Sequence, residues 1–136
     1  MAEMSVTFRS IPGTQAAIGV AGTHTVVVDR PPGKAGGLGL GFNGGQLLAM
    51  AIGGCFCNDL HYVAAEMGIE IASVDVEVTA VFDGEPLLVS AVTVDVKVTP
   101  ADPGADVAGL VARARATSTV SNSIARGVPV AFHGGD

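Results

Sequence analysis

Two runs of alternating residues constrain this chain more than any other feature. In Ser73–Asp83, Val74, Val76, Val78, Ala80 and Phe82 alternate with Asp75, Glu77, Thr79 and Val81. In Val89–Thr99, Val92, Val94, Val96 and Val98 alternate with Thr93, Asp95, Lys97 and Thr99. A period of two places successive side chains on opposite faces of a strand. Asp83-Gly84-Glu85-Pro86 supplies a turn between the runs, so they read as a β-hairpin with one buried face.

The clearest helix runs from Gln46 to Met67 and ends at Gly68, a residue type suited to the position just past a helix. It is apolar nearly all round over Leu47–Phe56, as expected of a central buried helix. Leu48, Ile52, Cys55, Asp59 and Tyr62 follow at three- and four-residue steps and share a face, whereas Cys57 points about 200° away from Cys55. Gly53 and Gly54 each cost roughly 1 kcal/mol relative to Ala inside a helix, which a close packing partner would explain.

Upstream, Ser5–Arg9 and Thr23–Val28 read as short strands, with Gly19 and Gly22 as turn candidates between them. Arg30–Gly45 is a connection with seven glycines and two prolines. Its glycines lack the spacing of a phosphate-binding loop, so it reads as a loop able to approach another backbone closely. Downstream, Asp102 and Pro103 suit the N-cap and first position of a helix to about Ala116. Ser118–Ala125 reads as a short polar helix or turn, and Gly127–Phe132 as a final strand. Hairpins with segregated helices give an α+β fold, and the 136 residues form one domain, 1–136.

Composition narrows the function classes. With 49% hydrophobic and 15% charged residues the chain is not of the disordered type. A net charge of −6 with no basic cluster argues against nucleic acid as a partner. Leu47–Phe56 is far shorter than the ~20 apolar residues of a membrane span, and no basic segment followed by an apolar one opens the chain. A cytoplasmic protein without a membrane partner is expected. The apolar excess on so small a chain hints at burial between subunits. Cys55 and Cys57 read as free thiols and cannot complete a zinc site alone, so neither metal nor cofactor is expected.

Cys55 is the candidate reactive residue, although a thiol in an apolar helix commonly serves as a small hydrophobe. It lies too far into the helix for the N-terminal dipole to act on it. His61 follows Cys57 by four and is spaced to pair with it. Ser118, Ser121 and Ser123 have the character of capping or turn residues.

The stretch FNGGQLLAMAIGGCF (Phe42–Phe56), then Gly68-Ile-Glu-Ile, SVDVEVTAVFD and the tail TSTVSNSIARGVPV (Thr117–Val130), resembles the OsmC/Ohr family of osmotically induced and organic hydroperoxide resistance proteins. The resemblance implies an OsmC-like fold with antiparallel strands wrapped around a long central helix in a swapped homodimer. It implies a thiol peroxidase with Cys55 at the peroxidatic position. The family's Glu falls on Gly45, its resolving Cys on Ser118 and the following Pro on Thr119. No matching Arg stands in the N-terminal region, where Arg9, Arg30 and Lys34 are the available cations.

Without a resolving Cys in the chain, the expected function is reduction of organic hydroperoxides by Cys55 with an external thiol as partner. The alternative is a non-catalytic dimer holding a small apolar or acyl ligand in a crevice beside Cys55, with Leu48, Ile52, Phe56 and Ser118 as its binding residues. A protein that keeps the fold and has lost the chemistry is the third reading.

Overall fold

The computed structural model describes residues 1–135. They fall into two units, Met1–Leu48 and 49–135. The first is built on a three-stranded antiparallel meander of β1 (Thr7–Ser10), β2 (Ala17–Ala21) and β3 (His24–Val28). The sequence suggested strands 5–9 and 23–28 but not β2, because Gly19 reads locally as a turn. In the sheet Gly19 pairs with Phe8, and the Phe8 ring covers the place a Cβ would take. Gly22, with φ +62°, makes the β2–β3 turn as expected.

A buried aspartate organises the glycine-rich connection. Asp29 Oδ2 accepts from the backbone N–H of Leu38 and of Leu40, each at 3.0 Å, and Oδ1 accepts from Arg30 N at 2.8 Å. The Arg30 guanidinium also reaches Asp29 Oδ1 and the carbonyl of Gln15. Phe42 N donates to Val27 O at 2.9 Å and Asp29 N to Phe42 O at 3.1 Å, so the loop returns alongside β3. Gly41 meets the Val27 carbonyl where any side chain would stand, which is the close backbone approach expected of this segment. Asn43 then caps the long helix α1 (Gly44–Met67): Gln46 N donates to Asn43 Oδ1 at 2.8 Å and Asn43 N to Gln46 Oε1 at 3.0 Å, a reciprocal capping box.

The second unit contains the hairpin of β4 (Ile71–Asp83) and β5 (Leu88–Pro100), then α2 (Val107–Thr117) and α3 (Thr119–Arg126). Val74, Val76, Val78 and Ala80 pair with Val98, Val96, Val94 and Val92, as the alternation predicts. The pattern slips near the turn, where Val81 opposes Ala91 and Phe82 opposes Val89. Ser90 is the extra residue of this bulge, and its hydroxyl donates to Val81 O at 3.3 Å.

One stripe of α1 supplies the core. Phe56, Leu60, Val63 and Ala64 pack with Leu110 and Ala114 of α2, flanked by Val74, Val76, Val96 and Val98 of the hairpin. Only this stripe and Ile52 are buried on α1, while Met50 and Tyr62 are exposed, so the expectation of burial all round does not hold within the chain. By length and composition α1 is apolar enough to cross a membrane, contrary to the expectation of too short a run, but its buried stripe marks a core helix. The glycines also differ: a Cβ on Gly53 would stand 3.0 Å from Val78 Cγ2, whereas Gly54 faces open space.

Two further expectations change. The N-cap of α2 is Asp106, which accepts from Gly109 N at 2.9 Å, while Asp102 closes a preceding turn by accepting from Gly104 N. Residues 127–132 form no strand among the described residues, and Val128, Val130 and Phe132 are exposed. Alternation alone cannot make a strand without an edge to pair with.

Leu60 is fully buried at the centre of the core. Leu60→Ala is expected to lower stability by about 2–5 kcal/mol in urea unfolding. The N–H groups of Leu40, Leu38 and Arg30, with the Arg30 guanidinium, hold the Asp29 carboxyl below its ordinary value against the opposing effect of burial. A depressed folded value means the contribution is complete above the unfolded value, about pH 4, and is lost as pH falls through the folded one. Asp29→Asn is therefore expected to lower Tm at pH 7 and to lose less further stability between about pH 4 and pH 2 than the wild type.

Candidate functional site

Cys55 and Ser118 are 63 residues apart in sequence and meet in the second unit. Cys55 stands on α1 beside the buried stripe, about three turns from the helix start and beyond reach of its dipole. Ser118 is the single residue between α2 and α3, with extended backbone at φ −66° and ψ 113°. It occupies the N-cap position of α3, where a serine side chain ordinarily accepts from the helix. Here it makes no such cap. Its side chain is fully buried and donates to Cys55 Sγ over 3.9 Å. Asn122 fixes the turn by donating from Nδ2 to Ser118 O at 2.8 Å and to Ala116 O at 3.2 Å.

On the other side, Cys55 Sγ donates to Asp59 Oδ2 at 3.5 Å, one helical turn along α1. The result is a short relay in which the Ser118 hydroxyl donates to the sulfur and the sulfur to a carboxylate. Among the described residues no Lys or Arg pairs with this group: the ion pairs are Arg30–Asp29 and Arg113–Glu66. Cys57 is a second free thiol, half-buried, and no hydrogen bond joins it to the exposed His61. No group of three or more potential metal ligands gathers among the described residues.

Two cavities lie between β5 and the helices. One, of about 420 Å³, has apolar walls from Phe56, Val92, Val94, Val96 and Val111, with Arg115, Ser118 and Ser121 as its polar lining. The other, of about 350 Å³, is lined by Ile52, Val92, Val94, Ser121 and Ile124 among others. Both volumes fall in the range of small-molecule sites. Of the residues singled out in the sequence, Ile52 and Phe56 thus line different cavities, Ser118 lines one and touches Cys55, and Leu48 lines neither. Ser121 lines both, while Ser123 donates to Thr119 O at 2.7 Å within α3. Sequence reasoning placed Asp59 on the face of Cys55 but gave it no role, and its four-residue spacing was the available signal. Arg115 and the β5 valines carried no signal of a cavity, because strand and helix meet only in the fold.

The family described as OsmC-like protein matches residues 35–133. The chain belongs to this family. Solved structures agree on the fold of this OsmC-like protein. An OsmC-like protein from Mycoplasma pneumoniae superposes with a TM-score of 0.76 at 14% identity, over 93% of this chain and 89% of that one. An organic hydroperoxide resistance protein from Legionella pneumophila gives 0.64 at 20% identity, over 91% and 90%. One from Bacillus subtilis gives 0.59 at 26% identity, over 90% of each chain. No curated protein sequence is matched significantly. The OsmC-like fold, mixed helices with antiparallel sheets, is as the sequence suggested.

The Cys55–Ser118 approach can be tested covalently. Ser118→Cys is expected to form a disulfide between Cys55 and the introduced thiol on mild oxidation, read as a loss of two hydrogens in intact mass and absent when Cys55→Ser is added. A protein that keeps both thiols would place the two side chains too far apart.

Proposed function

We propose that this OsmC-like protein reduces organic hydroperoxides with Cys55 as its peroxidatic thiol and a thiol from outside the chain as its resolving partner. The observation that carries this reading is the approach of Ser118 to Cys55, with serine at the position where the family resemblance puts a resolving cysteine. A hydroxyl donates to the sulfur but cannot form a disulfide with it.

The Cys55 sulfur attacks a peroxide oxygen and the O–O bond breaks. Sulfur gains the hydroxyl as a sulfenic acid, and the alkoxide leaves as the alcohol. Asp59 is placed to accept the thiol proton and return it to the leaving alkoxide, while the Ser118 hydroxyl donates to the developing thiolate. An external thiol then attacks the sulfenic sulfur and releases water. A second external thiol attacks the mixed disulfide, leaving Cys55 reduced and an external disulfide as the oxidised product.

The working unit in this proposal is a homodimer of one-domain subunits spanning 1–136, cytoplasmic and without nucleic-acid or membrane partners. Family membership across 35–133 supports one domain, since the match runs through both structural units. Exposed apolar residues support a subunit interface: Met50 on α1 and Val128, Val130 and Phe132 on the C-terminal segment, the last 93% exposed.

A second reading, a ligand-binding module, is favoured by the two apolar cavities and by the lack of a cation bonded to Cys55 among the described residues. Turnover separates the two. With cumene hydroperoxide and dithiothreitol, wild type and Cys57→Ser are expected to consume peroxide at similar rates. Cys55→Ser should be inactive, and Ser118→Ala slower by about tenfold for one lost charge-assisted hydrogen bond. Equal background rates in all four proteins would leave the binding module as the function.

A further inference from the structure

We propose that Asn122 is a positioning residue for the Cys55 chemistry, gripping the chain around Ser118 so that the Ser118 hydroxyl is aimed at the sulfur. This deepens the peroxidase reading above and rests on it. The reversal between α2 and α3 takes a single residue, since Ser118 is both the C-cap of one helix and the N-cap of the other. A serine there has local partners at hand in the free N–H groups of the first turn of α3. An O–H···S contact at 3.9 Å is weaker than such a cap. Left to local preference, the side chain would turn to the helix, yet it makes no cap and stays buried against Cys55 Sγ.

The backbone of the junction supplies the missing constraint. Asn122 Nδ2 donates to Ser118 O at 2.8 Å and to Ala116 O at 3.2 Å. Ala116 lies in the last turn of α2, where carbonyls have no acceptor role within the helix. The two accepting carbonyls bracket Thr117 and Ser118, so one planar carboxamide fixes the peptides on both sides of the reversal. The Thr117 hydroxyl is occupied elsewhere, donating to Arg113 O at 3.0 Å. Asparagine inside a helix otherwise competes with the helical backbone, and a merely tolerated one would point to water. Ser123, the next residue, shows the ordinary alternative: its hydroxyl donates to Thr119 O at 2.7 Å and touches α3 alone.

The test uses a disulfide as a ruler on the full chain carrying Ser118→Cys and Cys57→Ser. Equilibration in glutathione buffers gives the effective concentration of residue 118's thiol toward Cys55. Adding Asn122→Ala is expected to lower it by at least about tenfold, and adding Ser123→Ala to leave it unchanged. Asn122→Ser has one donor in place of two, can keep the bond to Ser118 O as Ser123 does to Thr119 O, and should fall between. It also serves as the variant that folds if Asn122→Ala does not, checked by circular dichroism. With Ser118 in place, Asn122→Ala should slow cumene hydroperoxide turnover, and it should add nothing to the loss in Ser118→Ala. An unchanged effective concentration in both Asn122 variants, an equal fall in Ser123→Ala, additive losses in turnover, or a parent that forms no disulfide would overturn the assignment. A fall confined to the Asn122 variants with no turnover in any protein would uphold the aiming of residue 118 while the peroxidase reading falls.

Discussion

The packing of one α1 stripe against the β4–β5 hairpin and α2 is the constraint on which the second unit depends. Phe56, Leu60, Val63 and Ala64 are joined by Leu110 and Ala114, and the hairpin valines close the layer. Among the described residues this cluster holds every buried hydrophobic side chain of the unit except Ile52. Its consequence for chemistry is positional. Cys55 precedes Phe56 on the helix, so seating the stripe sets the sulfur at the edge of the core, where the α2–α3 junction reaches it. Ser118, between two helices and with its carbonyl held by Asn122, aims its hydroxyl at the Cys55 sulfur.

The first unit is held by a different force. Its small sheet buries little, and a single carboxylate gathers three backbone N–H groups and a guanidinium to close the glycine-rich connection. Hydrogen bonding to an ionised acceptor replaces the hydrophobic layer as the organising element. Glycine is required at Gly19 and Gly41 for close approach, by an aromatic ring and by a carbonyl respectively. The Asn43–Gln46 capping box then fixes where α1 begins.

Period-two alternation made the hairpin legible, and helical spacing with a glycine stop made α1 legible to within two residues of its observed start. Those signals are local and survive folding. What stayed hidden depended on partners distant in sequence. Gly19 looked like a turn until Phe8 was seen lying over it. Asp102 with Pro103 after it reads locally as the helix cap, yet it is Asp106 that accepts from the N–H three residues on. The tail 127–132 carries strand-like alternation yet has no pairing edge among the described residues. At the candidate site, Cys55 was singled out by its helix position and the family resemblance. Its carboxylate neighbour was readable from spacing, and Arg115 could not be linked to any cavity before β5 and α2 were brought together.

In the proposed chemistry the Cys55 sulfur is oxidised and then waits for a thiol from outside the chain. Intact-mass spectrometry of reduced protein after one equivalent of cumene hydroperoxide, in the absence of added thiol, tests this most directly. The account predicts rapid gain of one oxygen, retained in Cys57→Ser, abolished in Cys55→Ser and reversed when dithiothreitol is added. An unmodified mass over many minutes, or an oxygen that persists in Cys55→Ser, would contradict it.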